Sequence, residues 1–335
     1  MIPYRMNPLG ITVNELLPLT FTALSAGSTV TLNANGSPTV SGLHYRLGKS
    51  GQWLSYTIGT TVTLANTGDS VQFWNSASTL SSSFSNFVQF ALSGLIRADG
   101  SIQSMLAWTD SVPAYSFYML FYQCSSLTQA PHLTAASVSS YGYQSMFHGC
   151  SRLTLTPMLP AVDVRNMCYS SMFQNCSSLV TASPIFAGRL YEYSFVSMFQ
   201  NCPALVNPPE LHITQLAPYC CNEMFYGCSS LADIPNLPDI TLFIYCYYNM
   251  FRNCTSLTEA VLPSTALNTG SYRTMFRGCS SLASIEVAFG SWNSNAATEM
   301  WVEGVAASGT FIKPAALPEE YGVDRIPSGW TVVNK

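Results

Sequence analysis

Residues 168–179 read CYSSMFQNCSSL, and the core of this stretch, Met-Phe-x-x-Cys-x-x-Leu, returns along the chain at a fixed interval. Successive cysteines of the pattern are equally spaced, except that the last interval is shorter by one position. A period of about 26 residues at so regular a spacing indicates an internal structural repeat, in which each unit occupies an equivalent place in the fold. The cysteines are Cys124, Cys150, Cys176, Cys202, Cys228, Cys254 and Cys279.

Apolar residues stand three, four and seven positions before each of these cysteines, with few exceptions. The offsets i, i+3, i+4 and i+7 predict one buried face of a short helix of about two turns. The cysteine would be the last residue on that face. The column three positions before the cysteine is always phenylalanine: Phe121, Phe147, Phe173, Phe199, Phe225, Phe251 and Phe276.

A short extended segment is predicted after each cysteine, where Leu recurs three positions on and proline often follows, as in Ile234-Pro235. Its ladder of hydrogen bonds should be brief, because proline cannot donate one. One helix and one strand cannot bury their apolar face alone, so the units are expected to stack. Residues 106–290 are therefore predicted to form a leucine-rich-repeat-like α/β solenoid of seven repeats, with ladders of phenylalanine rings and of thiols.

The chain has eleven cysteines, and their odd number argues against a closed disulfide framework. Zinc sites use close pairs such as Cys-x-x-Cys, which the spacing does not offer. Cysteine also serves as a small buried hydrophobic residue. Structural thiols are therefore predicted, with no metal and no cofactor. Disulfides between coils stay open as the alternative, and they would need an oxidising compartment.

The repeat, best seen at residues 168–179 and 246–257, resembles the BspA-type leucine-rich repeats over roughly residues 111 to 290. Such repeats are widespread in surface proteins of gut bacteria and in phages that infect them. The resemblance implies a binding or structural protein. It implies no particular ligand, because family members bind diverse partners.

Residues 18–105 have a different pattern, in which apolar and polar residues alternate and turn signals recur. This pattern predicts an antiparallel β-sandwich. Residues 76–85 are rich in serine and predict a long loop. The expected strands lie at residues 19–23, 29–32, 43–46, 53–57, 61–64, 71–74 and 87–95.

Residues 291–335 are predicted to be a decayed eighth repeat and a C-terminal cap rich in β-structure. The pair Met300-Trp301 follows Met275-Phe276 at the same shorter interval that separates the last two cysteines, so Gly304 would replace the cysteine of this repeat. Strands are expected at residues 310–314 and 326–332, where they would protect the end of the ladder from pairing with other chains.

Residues 1–17 belong to neither pattern, and no apolar segment typical of a secretion signal follows Arg5. We expect these residues to be a peptide that anchors the chain to a partner such as a virion capsid or tail protein. A loose tail or a first strand is the alternative. The missing signal favours a virion assembled in the host cytoplasm over a bacterial cell surface.

Composition and motifs predict no catalytic residues and no enzyme. The net charge is -4 and the sequence contains no basic patch, which argues against a nucleic-acid partner. The sequence also contains no run of 18 apolar residues, so no membrane span is predicted. No phosphate loop, nucleophile elbow or carboxylate pair is present. The four histidines, predicted to be surface or rim residues, are His44, His132, His148 and His212.

Two columns vary freely between repeats, five and eight positions after the cysteine, and we call them the recognition strip. They flank the extended segment and should face water, as binding surfaces of solenoids commonly do. The alternative is that these positions form ordinary surface with no binding role. Periodic aromatic residues are instead expected in the core. The residues of the strip are Gln129, Leu155, Thr181, Asn207, Asp233 and Glu259 in the first column, and His132, Met158, Glu210 and Asn236 in the second; Pro184 and Leu262 also belong to the second column.

These features predict a phage virion fibre or decoration protein that contacts the host surface through its repeats. A bacterial cell-surface adhesin and a purely structural virion component are the alternatives. The partner would be a glycan or a protein of the host surface. The sequence leaves the oligomeric state open: fibres are usually homotrimers, but no heptad segment is present.

Overall fold

The computed structural model describes residues 17–292 and 295–335, which form strands and turns and contain no α-helix. Two 3-10 helices span Ile102–Leu106 and Asn295–Ala297. The sixteen strands of these described residues, named β1 to β16 in chain order, are Leu19–Ala23, Ser28–Asn35, Leu43–Leu47, Leu54–Ser55, Thr61–Leu64, Ser70–Asn75, Phe87–Ser93, Ile96–Asp99, Ser111–Val112, Leu127–Gln129, Ser137–Val138, Asp163–Val164, Glu259–Leu262, Ser284–Val287, Thr310–Lys313 and Thr331–Asn334.

The first eight strands form two sheets. In one sheet β8, β1, β6, β3 and β4 are neighbours, and in the other β2 lies between β5 and β7. All of these pairs are antiparallel, as the alternating sequence predicts. The sheets share a core in which the rings of Phe21, Phe73 and Phe90 lie 4.8 to 5.9 Å apart. The strand expected at residues 53–57 is shorter, because only Leu54–Ser55 pairs with β3.

The first repeat joins the first of these sheets directly. Its strand β10 pairs in parallel with β8, and the ring of Phe121 stacks on that of Phe90 at 5.4 Å. The Phe90 N–H donates to the carbonyl of Leu120 at 2.8 Å. One hydrophobic core therefore runs without a break from the N-terminal strands into the repeats.

The predicted helix before each cysteine is wrong, because the chain forms a series of β-turns there. We call this stretch, from nine positions before the cysteine to the cysteine, the turn wall. In the first repeat the N–H groups of Leu120, Tyr122 and Cys124 each donate three positions back within the coil, at 3.0 to 3.2 Å. The alternate N–H groups of Phe121 and Gln123 donate to carbonyls of the next coil.

Stacking explains why turns replace a helix. An α-helix uses its N–H groups internally, whereas the turn wall sends every second one to the neighbouring coil. Every fourth residue of the wall has a positive φ, as type II turns require; in the third repeat these residues are Met167, Ser171 and Asn175. A turn repeated at every fourth position buries almost the same side chains as a helix does, which is why the apolar pattern indicated a helix.

The phenylalanine ladder predicted from the sequence is present. Successive rings are nearly parallel, with centroids 5.3 to 5.9 Å apart from Phe121 to Phe276. Each ladder cysteine after the first donates its S–H to the carbonyl of the preceding phenylalanine in the ladder, as Cys202 does to Phe173 at 3.1 Å. The thiol thus adds one hydrogen bond between coils at every step.

Outside the turn wall, short stretches of neighbouring coils pair in parallel. Strands β9, β11 and β12 form one small sheet, and β13 to β16 form another. Between them, isolated bridges join Leu155 to Thr181 and Thr181 to Asn207. The class of fold is therefore rich in β-structure and in repeats, and the α component of the predicted α/β class is absent from the described residues.

The eighth coil is present, but its predicted register is wrong. The Phe276 N–H donates to the carbonyl of Trp301, and the Gly278 N–H donates to the carbonyl of Glu303. In earlier coils the phenylalanine N–H donates to the residue four positions before the next cysteine, and the residue before the cysteine donates to the residue two positions before the next cysteine. The last interval is therefore a full repeat period, and Gly304 corresponds to Gly278, with Val305 in the place of the cysteine. Gly304 has a φ of +78°, like Gly278 at +79°, so the glycine serves a turn. The final strand begins at Thr331, later than expected.

Candidate functional site

The first column of the recognition strip is on the surface, where the sequence predicts it. Thr181 is half-buried, and Asn207 donates through its amide to the Thr181 hydroxyl at 3.3 Å. Gln129 donates to Asp99 of the N-terminal domain at 3.2 Å. The residues of the column other than Thr181 are exposed: Gln129, Leu155, Asn207, Asp233 and Glu259.

The second column is exposed at His132, Met158, Glu210 and Asn236. Leu262 departs from the prediction, because it is buried in strand β13. The column carries two contacts between a carboxylate and an imidazole. His132 lies 4.0 Å from Asp99, and Glu210 lies 3.4 Å from His212. Such exposed pairs contribute little to stability, so these groups are available to a ligand.

The two columns come together at one cleft of about 220 Å³ between the fifth and sixth coils. Residues 233–237 line one side, and the segment from Glu259 to Pro263 lines the other. Three residues of the recognition strip belong to this cleft: Asp233, Asn236 and Glu259. We call it the strip cleft. The other residues of the strip lie along the coils outside it.

The strip cleft is bordered by an open strand edge. The carbonyls of Thr258 and Leu262 accept hydrogen bonds from Ser284 and Ala288, on the side of β14. Backbone groups of a strand point to alternate sides, so those of Glu259 and Val261 point toward the cleft. Across it, no N–H of residues 233–239 forms a hydrogen bond within the described chain. Unpaired donors and acceptors therefore line both walls.

Proline explains why the coils separate at this point. Two coils earlier the equivalent segments are bonded, with Ile185 donating to Glu210 at 2.9 Å and His212 donating to Ile185 at 3.0 Å. In the fifth coil Pro235 and Pro238 have no N–H to donate and disfavour a central strand. The ladder therefore stops there and resumes at β13.

This arrangement can accept hydrogen bonds and attract positive charge. Two carboxylates, one amide and an open strand edge suit a ligand rich in N–H or O–H donors. Among residues 17–292 and 295–335, no group of three His, Cys, Asp or Glu side chains is placed to hold a metal ion.

The cysteines lie in the core, away from the strip. All eleven are buried and free. Burial is the main reason that the pKa of Cys176 rises from 9.0 to about 12. The thiolate is the reactive form of cysteine, so a thiol held in its neutral form is a poor nucleophile and a poor metal ligand. The contacts found are those of a structural residue.

One periodic surface feature is absent from the sequence-based prediction. Nine positions before the cysteine, tyrosine recurs at the repeat period and is half-buried, not fully buried as expected for periodic aromatic residues. We call this feature the tyrosine row. Its recurrence at the repeat period is the signal by which the sequence could have shown it. Its members are Tyr115, Tyr141, Tyr193, Tyr219 and Tyr245, and the two remaining places of the column hold Met167 and Gly270.

The predicted anchoring peptide lies outside the described residues, apart from Leu17. That prediction therefore stays open. Within the described residues, no helix is both long and apolar enough to cross a membrane.

Comparison with protein families gives one match. Residues 196–296 match the model of the BspA type leucine rich repeat region in six copies. Repeats of this type are generally binding modules and not catalytic ones. No curated protein and no solved structure matches the chain.

Proposed function

The chain is a BspA-type leucine-rich-repeat protein, and from this premise we propose that it is a non-enzymatic binding protein that recognises a partner at a surface through its recognition strip. One observation carries the proposal. Three strip residues that vary between repeats, Asp233, Asn236 and Glu259, lie together at the strip cleft, where the backbone ladder is open. Variable side chains beside unpaired backbone groups provide specificity and affinity at one place.

The partner follows from the chemistry of the strip cleft. Asp233 and Glu259 place negative charge beside unpaired backbone groups, and Asn236 adds a further donor and acceptor. We expect a partner that presents hydroxyl, amide or cationic groups, which includes glycans and basic protein segments. Binding of such a partner requires no covalent step.

Binding to immobilised host-surface glycans and matrix proteins tests this proposal, with the double variant Asp233→Asn, Glu259→Gln compared against the intact chain. The substitutions keep shape and remove charge, and we expect at least a tenfold weaker interaction. Glu192→Gln is the matched control, because Glu192 is an exposed carboxylate beside the turn wall. Failure of the intact chain to bind any probe would exclude the function, and equal binding by the double variant would exclude the strip.

A binding protein of this kind could be located on a virion or on a bacterial cell surface. The virion fibre predicted from the sequence and the cell-surface adhesin both need a binding face, and the type of repeat is consistent with the adhesin. Immunogold labelling of purified phage particles and of bacterial cells separates them. Label on particles supports the virion fibre or a structural virion component, and label on intact cells alone supports the adhesin.

A further inference from the structure

The tyrosine row forms two face-to-face stacks on the surface. Tyr115 and Tyr141 are stacked with centroids 4.7 Å apart and an interplanar angle of 10°. Tyr193, Tyr219 and Tyr245 form a longer stack, with centroid distances of 5.0 and 5.2 Å. The same column contains Met167 between the stacks. Within each stack the row therefore has one ring per coil, with neighbouring rings in contact.

The tyrosine row occupies a left-handed column of the turn wall. All five tyrosines have a positive φ, between 51° and 64°, which is uncommon for a bulky residue. Gly270 occupies the same column in the seventh coil with a φ of +60°, so glycine is compatible with it. The turn wall has two further left-handed columns: the one five positions before the cysteine includes Met119 and Glu223, and the one directly before the cysteine is mostly glycine or asparagine.

Core packing does not account for the row. Its residues are half-buried, and within the described chain none of their five hydroxyls has a hydrogen-bond partner. In the longer stack the faces of the rings are occupied by one another, apart from those at its ends, whereas the ring of Phe84 packs against both Tyr115 and Tyr141 at 4.9 and 5.0 Å. A molecule that approaches from the side therefore meets ring edges, which carry partial positive charge, and phenolic hydroxyls. Such a surface favours a ligand that presents oxygen atoms at the spacing of the coils.

We propose that the tyrosine row binds an extended glycan that runs along the repeat axis, with one sugar unit per coil. Extended β-1,4-linked hexose chains advance by close to one coil spacing per sugar, and they present hydroxyl and ring oxygens along their length. A peptide strand advances about 3.4 Å per residue and falls out of phase with the rings. A helix rises about 5.4 Å per turn but has 3.6 residues per turn, so its side chains do not return to the same position at each turn.

Oligosaccharides of defined length test this inference in titration calorimetry with the full chain. We use β-1,4-linked N-acetylglucosamine and glucose oligomers from disaccharide to hexasaccharide. Affinity should rise up to the trisaccharide, which spans the three-ring stack, and then level off. Maltohexaose, whose α-1,4 links curve the chain, should bind at least tenfold more weakly. A disaccharide that binds as well as the hexasaccharide, or no saturable binding by any β-linked oligomer, overturns the proposal.

The triple variant Tyr193→Phe, Tyr219→Phe, Tyr245→Phe keeps the stack and removes only the hydroxyls. It should lose at least tenfold in affinity while its thermal unfolding stays within a few degrees of that of the intact chain. Tyr247→Phe is the matched control, because Tyr247 is a fully buried neighbour; its affinity should not change. Unchanged binding by the triple variant contradicts the proposal.

Met167→Tyr gives the opposite test. Met167 already has a φ of +55°, and a ring there would join the two stacks. Hexasaccharide affinity should then rise several-fold, while trisaccharide affinity should stay the same. The inference does not depend on the recognition strip, so Asp233→Asn, Glu259→Gln should bind the oligomers normally. If that variant instead loses oligomer binding, the glycan site lies at the strip cleft and not at the tyrosine row.

Discussion

At the scale of single residues, the ladder cysteines show why one small side chain recurs in every coil. A thiol fits the turn wall as a small apolar group and also donates to the carbonyl of the coil before it. Cys254, for example, donates to Phe225 at 3.1 Å. Serine would offer the same hydrogen bond but would lose the apolar contacts of the sulfur, so the combination favours cysteine.

Burial of these thiols predicts sensitivity to alkaline pH. The raised pKa values, about 12 for Cys176 and Cys228 against an ordinary 9.0, keep the thiols protonated in the folded chain. Above pH 9 the unfolded chain loses these protons and the folded chain keeps them, so the stability present below pH 9 is lost as the pH rises. The loss is about 1.4 kcal/mol per pH unit for each such thiol.

Urea unfolding between pH 7 and pH 10 checks this dependence. Cys202→Ala provides the control, because it should lower the stability at pH 7 and also reduce the slope above pH 9 by about one proton. A free energy of unfolding that stays level to pH 10 would contradict the buried, neutral state of the thiols.

At the scale of the element, the turn wall depends on residues that tolerate a left-handed backbone. The position before each ladder cysteine is Gln, Gly or Asn, and each has a positive φ. Gly227 has a φ of +75°, and a Cβ atom there would come within 2.6 Å of the Asn201 amide oxygen. Glycine therefore serves both the turn and the close approach of the coils.

Gly227→Ala should destabilise the chain by about 1–2 kcal/mol, the usual cost of a left-handed conformation for a residue with a Cβ. Gly188→Ala is the control, because its φ is not in that region and its nearest neighbour, Thr214, would lie at 3.5 Å. Chemical denaturation of both variants gives the comparison. Equal stabilities would show that the wall does not need glycine at this position.

At the scale of the whole molecule, the N-terminal strands and the repeats share one core. Phe90 stacks on Phe121, and its carbonyl accepts the S–H of Cys124 at 3.1 Å. Phe90 thus continues the phenylalanine ladder by one position before the first repeat. The N-terminal sheets cover the end of the array, which would otherwise expose apolar rings and unpaired backbone groups.

Phe90→Ala should therefore destabilise both parts together, by about 3–5 kcal/mol as for other buried phenylalanines. Calorimetry should show a single transition that moves to a lower temperature. Two separate transitions, with only the earlier one shifted, would mean that the N-terminal strands and the repeats unfold independently.

The sequence alone was sufficient to identify the repeat, its family and its buried columns, because stacked coils force equivalent residues into equivalent places. It also predicted the N-terminal strands, since alternation of apolar residues depends only on neighbours along the chain. The turn wall was misread as a helix because a helix and a turn repeated at every fourth position bury nearly the same side chains over two turns. The glycines and asparagines before the cysteines carried the missing signal.

Tertiary structure decided the features that depend on how coils meet. The eighth coil has its register set by hydrogen bonds from Phe276 and Gly278, not by the nearest Met and aromatic pair. The strip cleft exists because two prolines interrupt a ladder between coils, and the tyrosine row is a surface because its rings stack across coils. Each of these depends on contacts between residues one repeat apart, and a reading along the chain does not give the geometry of such contacts.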